Sequence, residues 1–140
     1  MRRGMLAWTI SQEDFMAVLP GTVKKAWEDR EGPVVLTTVD DRGIPNSIYV
    51  KCVSIYNDSI IVVADNYFDK TRKNIFAGSY GSVLFITKDN VSFQVKGPIT
   101  YHTDGDIFAE MKKWNPEKHP GHAAAALTVE DVYSGSEKLL

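Results

Sequence analysis

The sequence predicts a mainly β fold: a small barrel of about six strands, mostly antiparallel, with helices at its rim. Two observations carry this. Runs rich in β-branched and aromatic residues recur at 34–39, 44–56, 59–64, 82–87, 91–102 and 127–133. Several are joined by short turn-forming stretches such as Asp40-Asp41-Arg42-Gly43, Asn57-Asp58-Ser59 and Lys88-Asp89-Asn90, too short for a parallel crossover.

The first segment, residues 1–31, reads as helical. Ser11 is placed to cap a helix, Gln12-Glu13-Asp14 put negative charge at its positive end, and Phe15, Val18 and Leu19 form an apolar face. Leu19-Pro20-Gly21 interrupts the helix, residues 22–28 resume it, and Glu31-Gly32-Pro33 ends it. The barrel follows over 34–133, with a short helix at 70–77 closed by Gly78. A second helix is expected at 104–114, capped by Thr103 or Asp104, with Ile107, Phe108 and Met111 on one side. Residues 115–121 carry two prolines and a glycine and read as loop, and 127–133 closes the domain as its last strand.

The chain has 140 residues, 44% of them hydrophobic and 24% charged, which suits one globular domain over 1–140 and not a disordered chain. Its net charge of -2 gives no bulk attraction for nucleic acid. The apolar run after Arg2-Arg3 stops at Ser11-Gln12-Glu13-Asp14, too early for an export signal or a membrane span. A cytoplasmic location is therefore expected, in keeping with the single Cys52.

The stretch Ala64-Asp65-Asn66-Tyr67-Phe68-Asp69-Lys70-Thr71 puts a strand end, two aromatics and a helix start together. A helix N-terminus presents free N–H groups, and a lysine and a threonine add a charge and a donor, which suits a phosphate. The same residues also suit a helix capped by Asp69 with its cations in water. Tyr67 and Phe68 fit either the wall of a flat ligand or ordinary core. His119 and His122 share an H-x-x-H spacing, but Pro120-Gly121 breaks the helical face, and no further ligand joins them. Asp104-Gly105-Asp106 lacks the rest of a calcium loop. Ser79 and Ser82 lack a nucleophile-elbow context, and Gly78, Gly81 and Gly97 form no dinucleotide fingerprint.

From 34 to 139 the chain resembles the FMN-binding split β-barrel superfamily, which includes pyridoxamine 5'-phosphate oxidase and small FMN-binding proteins. The resemblance rests on Asp41-Arg42-Gly43-Ile44-Pro45-Asn46-Ser47, on the 64–71 stretch, on Phe93-Gln94-Val95-Lys96-Gly97, and on the run from Tyr101 through Phe108 to Leu127-Thr128-Val129. It implies a six-stranded antiparallel Greek-key split barrel that holds FMN at a homodimer interface. It gives Lys70 and Thr71 the phosphate, and Asn46, Ser47, Ile48, Tyr49 and Val50 the ribityl chain and ring edge, with a donor such as Ser47 or a nearby N–H at the flavin N1–C2=O edge. Ala64 and Asp65 continue the wall, with Phe68 near the cofactor. The loop around Trp114 and His119 is the expected donor from the second subunit.

The oxidases often carry Arg-Lys where this chain has Asp69-Lys70, so Arg72 is the candidate for the missing cation. The chain stops soon after the last strand, so vitamin B6 oxidation itself is not expected. The implied activity is hydride or electron transfer through FMN to a small-molecule substrate or redox partner, with no residue assigned as catalytic. An electron carrier, or a barrel holding F420 or haem, is the alternative.

Overall fold

A computed structural model describes residues 17–140. Ser11, Gln12, Glu13, Asp14 and Phe15 lie outside the described residues. A helix does start after Pro20: α1, Gly21–Glu28, buries Val23, Ala26 and Trp27. Leu19 is buried and Val18 is half exposed.

The strands are β1 (Val34–Val39), β2 (Pro45–Val50), β3 (Val53–Asn57), β4 (Ile60–Asp65), β5 (Tyr80–Ile86), β6 (Ser92–His102), β7 (Ala123–Thr128), β8 (Asp131–Ser134) and β9 (Glu137–Lys138). Two further helices, α2 (Lys70–Phe76) and α3 (Gly105–Trp114), complete the described elements. The sheet order is β2-β1-β5-β6-β7-β4-β3, every pairing antiparallel, with β8 and β9 added beyond β6. β2 and β3 are the two halves of the run expected at 44–56, bent at Lys51-Cys52. Taken as one strand, they join the two ends of that order, so six strands close a ring. β1, β2/β3 and β4 follow one another by hairpins, and β5 returns to lie beside β1, which is Greek-key order.

Turn chemistry fixes the hairpins. Asp40 Oδ1 accepts the N–H groups of Arg42 and Ile44, both at 2.9 Å, and Gly43 supplies the positive φ of 84°. Those N–H bonds, that to Ile44 first, hold the Asp40 carboxyl below its ordinary pKa despite an opposing desolvation. Asn57 Oδ1 accepts the Ser59 N–H at 2.8 Å in the β3–β4 turn.

One core fills the ring. Leu36, Ile61, Val63, Val83, Val95 and Leu127 meet there, and Trp27 of α1 joins them edge-on to Phe85 with ring centroids 5.1 Å apart. A second, smaller cluster lies outside the ring, where Met111 of α3 covers Val62, Ala64, Ala124 and Ala126. β4 and β7 are thus buried on both faces, which explains the unbroken apolar run Ile60-Ile61-Val62-Val63. The run expected as one last strand over 127–133 is divided: β7 starts earlier, at Ala123, and ends at Thr128, and β8 begins at Asp131. Alanine is a poor strand former, but only small side chains let α3 lie this close.

Gly97 pairs with Gly81 of β5, and on the opposite edge of β6 it lies between the residues paired with β8, 94–96, and those paired with β7, 99–102. A Cβ there would sit 1.7 Å from the Thr128 carbonyl oxygen, a backbone atom with no room to move. Gly97→Ala is therefore expected to lower unfolding stability by about 3 kcal/mol or more, measured by chemical denaturation.

Candidate cofactor site

The link from β4 to α2 organises this end of the barrel, each residue through a different partner. Asp65 is fully buried. Its carboxylate accepts Arg72 Nε and Nη2 at 2.8 and 2.9 Å, the Tyr101 hydroxyl, and the Phe68 N–H at 3.0 Å. Burial pushes its pKa up, but the bonds from Arg72, Tyr101 and Phe68 outweigh it and the carboxyl titrates below the ordinary range. The Asp65 bond raises the Arg72 pKa. Tyr101 is raised by burial and by its bond to Asp65.

Asn66 and Asn115 exchange amide hydrogen bonds of 3.0 and 2.9 Å, and Asn66 Oδ1 also accepts the Gly121 N–H at 2.8 Å. The loop after α3 is thereby fastened to the end of β4. The Tyr67 hydroxyl meets His119 Nδ1 at 3.1 Å, with the two rings edge-on. Phe68 is buried in the main core. The two readings open for these aromatics therefore divide: Phe68 is core at the cavity floor, and Tyr67 is an exposed wall.

Two cavities open along β2. The first, about 400 Å³, lies where Pro45 and Asn46 face α2, whose Lys70, Lys73, Asn74 and Ala77 line it. Asp40 and Asp41 stand on its far wall. The second, about 340 Å³, runs from Ile48 to Cys52 and is closed by Ala64, Asn66, Tyr67, Phe68 and His119, with no carboxylate in its lining. Both are in the range of small-ligand sites, roughly 300–1,000 Å³. A larger groove of about 560 Å³ between α1 and the β5–β6 turn carries Glu28, Asp29 and Asp89 against one Lys25, the wrong charge for a phosphate.

The expected residues distribute as follows. Asn46, Ile48 and Val50 are half-buried along β2 while Ser47 and Tyr49 alternate outward. The Ser47 hydroxyl lies 2.7 Å from that of Thr37, and Tyr49 reaches the rim of the second cavity. Lys70 lines the first cavity. Thr71 is buried, and its hydroxyl accepts the Asn46 amide at 3.3 Å, so its side chain supports Asn46. Ala64 and Phe68 line the second cavity, whereas Asp65 lines neither. Arg72 does not line the first cavity: its Nε and Nη2 are held by Asp65, whereas Lys73 lines it beside Lys70. Asp69 makes no side-chain cap bond to α2, and Asp104 makes none to α3.

His119 borders the second cavity of its own chain, and Trp114 lines an adjoining one with Lys51 and Lys118. Sequence reasoning did not single out Lys51, Cys52 or Asn66 for this site; it offered Arg72 and Lys73 as further cations, and of the two Lys73 lines the first cavity. The α2 spacing of Lys70 and Lys73 was the one available signal, since residues three apart share a helix face.

A family model described as "Pyridoxamine 5'-phosphate oxidase" matches residues 20–134. The chain belongs to this family. Among curated proteins it is similar to the uncharacterized protein MJ0282 of Methanocaldococcus jannaschii, 24% identical over 107 residues that span 72% of this chain and 71% of the relative. Among solved structures, HupZ of Group A Streptococcus matches with a TM-score of 0.72 at 20% identity, covering 83% of this chain and 93% of that one. An FMN-binding protein of Syntrophomonas wolfei matches with a TM-score of 0.67 at 19% identity, covering 82% and 95%. At these identities the structural matches show a common fold, the split barrel of the pyridoxamine 5'-phosphate oxidase family.

Asp65→Asn is expected to cost about 3 kcal/mol of stability at neutral pH, because Arg72 then faces a neutral amide. A depressed folded pKa contributes stability that is present above the unfolded value, about 3.9, and is lost as pH falls through the folded one. Denaturant melts of wild type and variant should therefore converge as the pH is lowered below about 4.

Proposed function

We propose that this chain is an FMN-binding flavoprotein that works as a homodimer and passes hydride or electrons between its flavin and a small substrate or redox partner. One observation carries the reading. A single strand, β2, runs from a cavity with two lysines to a cavity walled by aromatics and strand backbone, the two halves of a phosphate-bearing planar ligand. Lys70, Lys73 and Asn46 would hold the phosphate, the 48–50 backbone and Phe68 the ring, and Tyr67 and His119 its outer edge. Bound FMN would supply the hydride and electron chemistry. The protein's part is to bind it, orient it and exclude water.

The outer face of the sheet supports a second copy as partner. Tyr49, Val35 and Leu84 stand opposite one another across β2, β1 and β5, continuing to Gln94 and Tyr133 on β6 and β8. Tyr49 is 78% exposed and Leu84 41%, an uncharged row that a single subunit leaves in water. Because Tyr49 also rims the second cavity, a copy seated on this row would wall the ring site from the other side.

The visible spectrum of gently purified protein tests the cofactor, with flavin bands expected and F420 or haem bands overturning FMN. Lys70→Ala should weaken FMN binding about tenfold or more and leave riboflavin nearly unaffected. Leu84→Asp should shift the protein to monomer in sedimentation and reduce its flavin content together.

A further inference from the structure

We propose that the Asp65–Arg72 pair is the positioning device of the phosphate cavity, fixing the rotation of α2 so that Lys70 and Lys73 face the cavity while Arg72 is kept away from it. The inference rests on reading that cavity as the phosphate site of a flavin. At about 3.6 residues per turn, Lys70, Lys73, Asn74 and Ala77 form one stripe of α2, and all four line the cavity. Arg72 falls on the other side of the same helix, where β4 ends and Tyr101 of β6 approaches. Turning α2 enough to bring Arg72 round would take both lysines out of the cavity.

What resists that turn is a fork. Arg72 reaches Asp65 through two N–H···O bonds of 2.8 and 2.9 Å, and paired contacts of this kind fix orientation as well as distance. Asp65 cannot follow the helix, because it is the last residue of β4, hydrogen-bonded on to Tyr101 and to the Phe68 N–H, and its carbonyl accepts the His122 N–H at 2.9 Å. The neighbouring anchors are neutral and single: Asn74 to Thr38 at 3.0 Å and Asn46 to Thr71 at 3.3 Å. Asp65 and Arg72 thus act on the ligand through Lys70 and Lys73, without touching it.

The test measures FMN and riboflavin affinities side by side, since their ratio reports the phosphate alone. Arg72→Lys keeps an ion pair with Asp65 but cannot make the fork. It should lower the preference for FMN over riboflavin about tenfold, with riboflavin affinity nearly unchanged. Lys70→Ala added to Arg72→Lys should lower the ratio little further, because a positioning residue and the group it positions are not additive. An unchanged ratio in Arg72→Lys, or full additivity with Lys70→Ala, overturns the inference. Asp65→Asn is the second variant should Arg72→Lys fail to fold, and it must show the same selective loss. Wild-type protein that does not prefer FMN to riboflavin overturns the phosphate reading itself, and this inference with it.

Discussion

The buried carboxylate of Asp65 is the interaction on which this end of the barrel depends. It closes β4, and its two oxygens hold α2 through Arg72, β6 through Tyr101 and the start of the 66–69 link through the Phe68 N–H. A buried ion pair is a weak source of net stability, because removing both charges from water offsets most of their attraction. Here the pair is met by further hydrogen bonds, and among the described residues no buried side-chain polar atom is left without a partner. Its contribution is direction: a short helix whose other side-chain anchors are single neutral bonds, Asn74 to Thr38 and Asn46 to Thr71, is held at one angle to the sheet.

Around that point the ring of strands does the coarse positioning. The bend at Lys51-Cys52 lets one run of chain serve as both ends of the sheet, β2 pairing with β1 and β3 with β4. The alternation along β2 then divides its residues between two tasks. Ile48 and Val50 pack against the barrel core, while Ser47 and Tyr49 face outward with Thr37 and Val35 of β1 beside them. The same six residues thus carry both the cavity side and the uncharged outer row, and Tyr49, which also rims the second cavity, belongs to both.

The fold was largely legible in the sequence, because its strongest signals are local. Asp40-Asp41-Arg42-Gly43 and Asn57-Asp58-Ser59 make the turns their composition implies, and the branched run at 60–63 is a strand buried on both faces. The miss at β7 has a plain cause. Four alanines carry no β propensity; Ala124 and Ala126 lie under α3, a contact between distant elements, while Ala125 faces the main core.

The candidate site was legible by position and much less by role. Lys70 and Phe68 each line a cavity along β2, but the roles of Asp65 and Arg72 could not be read. Each looks like a ligand for something outside the chain, and each is satisfied by the other. Seven residues separate them in sequence, and Tyr101, the third member, lies 29 beyond Arg72. Only the fold shows that the charge of Arg72 is already used. The same holds for Asn66 and Asn115, 49 residues apart, whose reciprocal amides decide where His119 stands. A motif rich in polar residues thus divides into two kinds. Lys70 and Lys73 line a cavity, and Asp65, Asn66 and Arg72 bond to partners inside the protein.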